Sequence, residues 1–255
     1  MNRVNRKTPG ELILVAALVL LGILSGASLA ENIRINPATL KITGFFGGTR
    51  LQVSGDIPEG SEAVIEVIGK EVEQELMRKG RRWDIWMNVG EIDIKGVPTF
   101  YLVASSDPRL LAATKAPKPW GYGLWRRSAR FQGAVKKGDE TLIFKEFIKL
   151  KEGRGLYGRF PGAVQVVSAG RGRSRAEASF PINTRIAPGT YSIRLTAVRG
   201  GQVVQRIQVP WQVDIAGSPA FLTFLATKRP VLYGILALGL AATVGLLSGV
   251  LFRSK

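Results

Sequence analysis

Six arginines in two triplets, Arg126, Arg127 and Arg130 and then Arg171, Arg173 and Arg175, have the type and spacing for a definite task. A guanidinium is a planar fork of donors that matches an oxyanion bidentately. Together the triplets could therefore hold an oxyanion or an anionic lipid headgroup; the alternative is a pair of solvated charged loops. Glu71, Glu73 and Glu75 alternate, which on a strand gives three carboxylates on one face. Hard cations such as Ca²⁺ take such ligands, but Arg78, Lys79, Arg81 and Arg82 follow immediately, and ion pairs across a hairpin explain the run without a metal. Gly153-Arg154-Gly155-Leu156-Tyr157-Gly158 fits G-x-G-x-x-G. A dinucleotide fingerprint needs a strand before it and a helix after it, whereas the flanking patterns here run helix, then strand. We read a helix cap and a turn, and assign no cofactor.

The chain contains no cysteine and no histidine. This excludes disulfides and thiol nucleophiles, as well as Ser-His-Asp triads and most zinc or haem ligand sets. Paired catalytic carboxylates, a Walker A loop and a nucleophile elbow are missing too. We assign no catalytic residues and no metal, and expect a protein that is not an enzyme.

The elements that must carry these residues divide by charge. Residues 31–105 hold nine basic and eleven acidic side chains, whereas residues 106–230 hold 22 basic against seven acidic. The basic half precedes Val231–Phe252, 22 residues without a charge. As a helix that run is ~33 Å long, enough to cross a bilayer. Residues 1–30 read as a secretory signal peptide, with Arg3, Arg6 and Lys7 before the apolar Leu12–Leu24 and Ser28-Leu29-Ala30 as the cleavage site. An uncleaved signal anchor is the alternative. The expected topology is single-pass type I in a bacterial inner membrane, with the bulk of the chain in the periplasm and residues 253–255 in the cytoplasm. A basic body tethered outside the cytosol gives no reason to expect nucleic acid as a partner. Gly245 and Gly249, with Ala241 one turn earlier, form a small-residue stripe suited to helix association.

Between these ends the sequence predicts a mainly β protein. Residues 31–105 and 154–216 are expected as two β-sandwich, immunoglobulin-like modules. A helical connector at 106–153 separates them, and an interfacial segment at 217–230 leads into the transmembrane helix at 231–252. In the run Trp83–Val89, period-2 geometry puts Trp83, Ile85, Met87 and Val89 on one face and Asp84, Trp86 and Asn88 on the other. Trp86 is then covered by another element or exposed as a contact. Helices are expected over Pro108–Lys115 and Glu140–Glu152, the second capped by Asp139 and carrying Ile143, Phe147 and Leu150 on one stripe. Gly200-Gly201 predicts a hairpin, after a strand whose Tyr191, Ile193, Leu195 and Ala197 face one way.

Several of these blocks, RRWDIWMNVGEIDIKGVPTFYLVASS, GRGLYG, FPINTRIAPGTYSIRLTAVRGGQVV and KRPVLYGILAL, resemble in order a putative transmembrane protein family described mainly from alphaproteobacteria. In that resemblance Trp86 and Asn88 stand at a W-x-N position, Phe100 and Tyr101 at an aromatic pair, and Gly155-Leu156-Tyr157 at a GLY block. It implies an inner-membrane protein facing the periplasm, with no catalytic residues to transfer and a role accessory to sulfite-exporter-type permeases. Two functions are therefore expected. The first is a membrane-anchored interaction protein that docks on a permease or another envelope component, with Trp86 and Asn88 as contacts. The second is a binding module for an anion, or for an anionic envelope polymer or lipid, using the basic 106–215 region.

Overall fold

Runs dense in β-branched residues, such as Glu62–Ile68 and Gly189–Arg199, pair into sheets because branched side chains pack well on a pleated surface. The computed structural model describes residues 33–82, 85–112, 117–136 and 138–253. In chain order its strands are β1 (Ile33–Asn36), β2 (Thr39–Ile42), β3 (Thr49–Pro58), β4 (Glu62–Ile68), β5 (Gln74–Arg82), β6 (Ile85–Lys95) and β7 (Tyr101–Ser105), then β8 (Arg130–Gly133), β9 (Tyr157–Phe160), β10 (Gln165–Gly170), β11 (Arg173–Ile182), β12 (Gly189–Arg199) and β13 (Gln202–Ile215). The helices are α1 (Pro108–Leu111), α2 (Tyr122–Ser128), α3 (Glu140–Gly153), α4 (Ser218–Lys228) and α5 (Pro230–Arg253).

A four-stranded sheet, β1-β3-β11-β10, faces a six-stranded one, β2-β13-β12-β4-β7-β9. Between them lies the larger core. Leu51, Val53, Ile57, Ala176, Ala178, Phe180 and Ile182 from the first sheet meet Ile65, Val67, Phe100, Leu102, Ile193, Leu195 and Trp211 from the second. The other face of the six-stranded sheet is also buried. Its Val64, Ile68, Tyr101, Val103 and Val198 pack against Trp120, Trp125, Phe144, Phe147 and Ile148 of the helical segment and against Ile92 and Ile94 of the three-stranded sheet β5-β6-β8. Phe100 and Tyr101, adjacent in sequence, thus point into different cores, as strand alternation requires.

The two β stretches expected as separate modules share both sheets. β3 pairs with β11 along its whole length, and β12 pairs with β4. Each of the two sheets takes strands from both stretches, so one interleaved pair of sheets buries a core common to both. Other expectations are met. The Gly200-Gly201 hairpin joins β12 to β13 with both glycines at positive φ, 57° and 78°. Tyr191, Ile193, Leu195 and Ala197 are all buried.

From Ile85 the run Trp83–Val89 belongs to β6, which continues to Lys95, and a register jump against β5 between Arg78 and Lys79 leaves Val89 opposite no β5 residue. This bulge breaks the strict alternation assumed for the run; Trp83 and Asp84 lie outside the described residues. The first connector helix is seen as α1, with Asp107 accepting from the Arg109 N–H at 2.7 Å, and residues 113–116 lie outside the described ones. α3 has its expected bounds to within a residue, but its buried stripe is Phe144, Phe147, Ile148 and Lys151, while Leu142 and Leu150 are exposed. Asp139 occupies the N-cap position but makes no side-chain capping bond. The reading of residues 1–30 also lies outside the described residues.

Candidate functional site

β13 is the strand that hands the chain to α4 and α5, so the end of the six-stranded sheet at Ile215 is its anchor end. β2 runs parallel to β13 and pairs Ile42 with Ile215. The antiparallel partners place Gly189 of β12, and through it Ile68 of β4, at the same end. Past Ile68 the chain keeps close to its neighbour. Gly69 N–H donates to Phe100 O at 2.7 Å and Thr99 N–H to Lys70 O at 2.9 Å. A Cβ on Gly69 would lie 2.7 Å from Thr99 Oγ1, so glycine is needed for this approach.

These segments line a groove of about 910 Å³. One wall is Ile68, Gly69, Lys70 and Val72 with Thr99; the other is Ala187–Ser192 with Gln208–Pro210. The lining is mostly apolar, and Lys70 is its one formal charge. The second wall is held by Tyr191, whose Oη donates to Ala187 O at 2.7 Å and closes the Pro188-Gly189 turn. Burial pushes that hydroxyl up to about 12, so it keeps its proton and the bond throughout the neutral range.

Behind the groove, on the covered face of the six-stranded sheet, sits a feature that periodicity alone does not reveal. Glu66 is fully buried among the apolar residues Ala63–Ile65 and Val67–Ile68 of β4. Its Oε1 accepts from Tyr101 Oη at 2.5 Å, and its Oε2 lies 3.5 Å from an Arg194 guanidinium nitrogen. Tyr101 Oη accepts in turn from the Gly121 N–H at 2.7 Å. Burial raises the Glu66 carboxyl above its ordinary range, with Tyr101 and Arg194 pulling the other way, and burial holds the Tyr101 hydroxyl well above 10. Tyr122, Trp125 and Tyr157 surround the Tyr101 ring at centroid distances of 5.5–6.0 Å. Through the Gly121 bond this network ties the helical layer to the sheet.

The aromatic pair and the GLY block meet at this node. β7 and β9 run parallel with Tyr101 opposite Tyr157, and Tyr157 Oη donates to Pro98 O at 2.6 Å. α3 ends at Gly153. Gly155, at φ 65°, turns the chain, and β9 follows. Asn183 Nδ2 donates to the carbonyls of Arg154 and Gly155, both at 2.9 Å. The glycine-rich run is thus a helix cap followed by a strand, with the order opposite to that of a dinucleotide site.

A family model described as "Putative transmembrane protein (Alph_Pro_TM)" matches residues 32–254. The chain belongs to this family. No curated protein and no solved structure matches it. One helix among the described residues is long and apolar enough to span a bilayer, over Pro230–Gly249 at the start of α5, and its side chains are exposed. Family and helix together support membrane association.

Within this transmembrane family member the two arginine triplets are not brought together. Arg126 lies over the rings of Phe131 and Phe144, at 5.4 and 5.9 Å, and reaches Glu140 Oε2 at 3.4 Å. Arg130 donates to the carbonyls of Arg127, Ser128 and Ala129 at the end of α2. Arg127 donates to Lys118 O at 2.6 Å and, with Arg159, borders a cleft of about 240 Å³. Arg171, at φ 56°, forms the β10–β11 turn. Arg173 and Arg175 lie on the outer face of the four-stranded sheet, bonded to Asp56 O and Asp56 Oδ1 at 3.3 and 3.1 Å. Two sheets separate the triplets, and the Arg171 turn sits beside Pro58 and Glu59, at the end away from the anchor.

Trp86 pairs through its backbone with Arg81, and Asn88 with Lys79; Asn88 is exposed. Of the three alternating glutamates only Glu75 is on a strand. Glu71 bridges to Pro98, and Glu73 pairs with Lys95 at 2.9 Å; the side chains of Arg78, Lys79, Arg81 and Arg82 lie outside the described ones. Glu75 joins exposed Glu91 and half-buried Asp93 in an acidic cluster whose oxygens lie within 4.8 Å of one another. Ala241, Gly245 and Gly249 all lie on α5, and the two glycines have open space where a side chain would be.

Proposed function

We propose that this protein is a membrane-anchored, non-enzymatic docking module whose anchor-end groove receives a segment of a membrane-protein partner, with a transporter as the partner class. One observation carries the reading: a groove of about 910 Å³, open and mostly apolar, lies at the end of the sheet from which the chain enters α4 and α5. Its walls are mostly apolar, the chemistry that takes the apolar face of a partner segment. A signal peptide would place the β body in the periplasm, where such a partner presents its outer loops.

To test this, the full chain is extracted in mild detergent at high salt and the recovered partner compared with that of Val72→Arg and Thr190→Arg, one on each wall. Both positions are exposed, so neither change should unfold the body. We expect recovery to fall about tenfold or more. Unchanged recovery with both variants would exclude the groove.

A second reading, an anion site in the basic region, is favoured by one observation. Arg127 and Arg159 line the same 240 Å³ cleft, with Arg159 held 5.0 Å over the Tyr122 ring. Binding there would weaken steeply with salt, and Arg159→Gln would remove it.

A further inference from the structure

Phe45 and Phe46 are adjacent aromatics with opposite fates. Phe46 packs against the larger core, while Phe45 is 99% exposed. The Phe46 N–H donates to Thr43 O at 3.1 Å, closing a turn that carries Phe45 near its tip. After the turn, Gly48 adopts φ 96°, and a Cβ there would lie 2.9 Å from Ile182 O. The loop is therefore pinned on both sides of Phe45, by the Phe46 ring in the core and by close backbone approach at Gly48, and it presents one ring outward in a fixed position.

Single exposed apolar side chains are ordinary; the place of this one is not. Ile42 of β2 pairs with Ile215, and the Ala216 N–H donates to Ile42 O at 2.8 Å. Phe45 is three residues beyond Ile42, so it lies within ~11 Å of that pair. On the other chain of the pair, Gly217 caps α4, whose Phe221, Leu222 and Phe224 are all more than half exposed. α4 then gives way at Arg229 to the apolar α5. Two apolar features, a pinned aromatic tip and an apolar short helix, thus leave the same edge of the sheet next to the span. Aromatic rings are favoured at the boundary between headgroups and acyl chains.

We propose that the Phe45 loop is a second contact with the lipid bilayer, its ring seated in the interface beside the anchor, so that the β body is held at two points. The proposal rests on the membrane association assigned above and is independent of any partner in the groove.

The absence of native cysteine allows a clean test on the full chain. Gly47→Cys, where added atoms meet open space, carries an environment-sensitive fluorophore beside an intact Phe45. Leu238→Cys reports on the span, and Val203→Cys on the opposite end of β13, ~40 Å along the strand from Ile215. Each labelled chain is reconstituted into vesicles of phosphatidylethanolamine and phosphatidylglycerol, and quenching by iodide is compared with quenching by a lipid carrying a shallow spin label.

We expect Leu238 to be quenched only from the lipid and Val203 only from water. Position 47 should be quenched from the shallow lipid label, with at least threefold less iodide access than Val203. Adding Phe45→Glu should abolish the lipid quenching while leaving the melting temperature unchanged. If position 47 behaves like Val203 while Leu238 is lipid-quenched, the proposal is overturned and the anchor stands. Protection from iodide without lipid quenching overturns it in favour of a protein contact. If Leu238 is quenched from water, the membrane reading itself fails, and this inference with it.

Discussion

Tyr101 holds three parts of the molecule at one atom. Its hydroxyl donates to buried Glu66, accepts from the Gly121 backbone, and sits among the rings of Tyr122, Trp125 and Tyr157. Tyr101→Phe keeps the ring but orphans a buried carboxylate oxygen and a backbone N–H. We expect a loss of about 1–3 kcal/mol in urea unfolding, with the membrane location unchanged.

Lys151 gives a signature in pH. Burial, with Arg154 nearby, lowers its ammonium to about 8, although its Nζ lies 5.4 Å from the Phe147 ring centroid. An unfolded lysine keeps its proton to about 10.4. Between those values the unfolded chain binds more protons, so stability rises with pH. The buried tyrosine hydroxyls act in the opposite sense only above about 10. The melting temperature should therefore climb from pH 8 towards 10, and Lys151→Met should flatten the climb. At this scale the sequence is a partial guide. The Phe100-Tyr101 pair stood out as a pair, but Glu66 looked like the polar member of an alternating strand, because nothing local shows that a helical layer covers that face.

Among the elements, the legible ones were those whose signal is local. The Gly200-Gly201 hairpin, the bounds of α3 and the uncharged run in α5 each follow from a few consecutive residues. Strand order does not, since β3 finds β11 more than 100 positions away, and two sets of strands of similar pattern can form two sandwiches or one. The α3 stripe shows the same limit more finely. Its period was correct, but the choice among neighbouring stripes depends on where Tyr157 and Trp125 stand, and so it settled on Phe144, Phe147, Ile148 and Lys151 rather than on Leu150. The α3–β9 joint is the element whose sequence requirement is sharpest. Gly155 is in the left-handed region, and a Cβ would collide with Asn183 Nδ2. Gly155→Ala should cost about 1–3 kcal/mol, read as a lower urea midpoint. Asn183→Ala in the same chain should not add its full separate cost, because the collision and the lost bonds share one side chain.

For the molecule as a whole, the anchor was plain in the sequence and the groove was not. Its walls come from residues 68–70, 72, 99, 187–192 and 208–210, which meet only after the sheets interleave. The arginine triplets were conspicuous in the sequence, yet the fold places them on opposite sides of two sheets and engages most of their guanidinium groups internally. What remains near the anchor is an apolar, open surface beside a helix that suits a bilayer. The most direct measurement of its role is site-specific photo-crosslinking in intact cells, with a photoreactive residue at Thr190 in the groove and, separately, at Gln202 at the far end of β13. Docking at the groove is expected to give a discrete adduct with a membrane protein from Thr190 and none from Gln202. Adducts from Gln202 with none from Thr190 would contradict it.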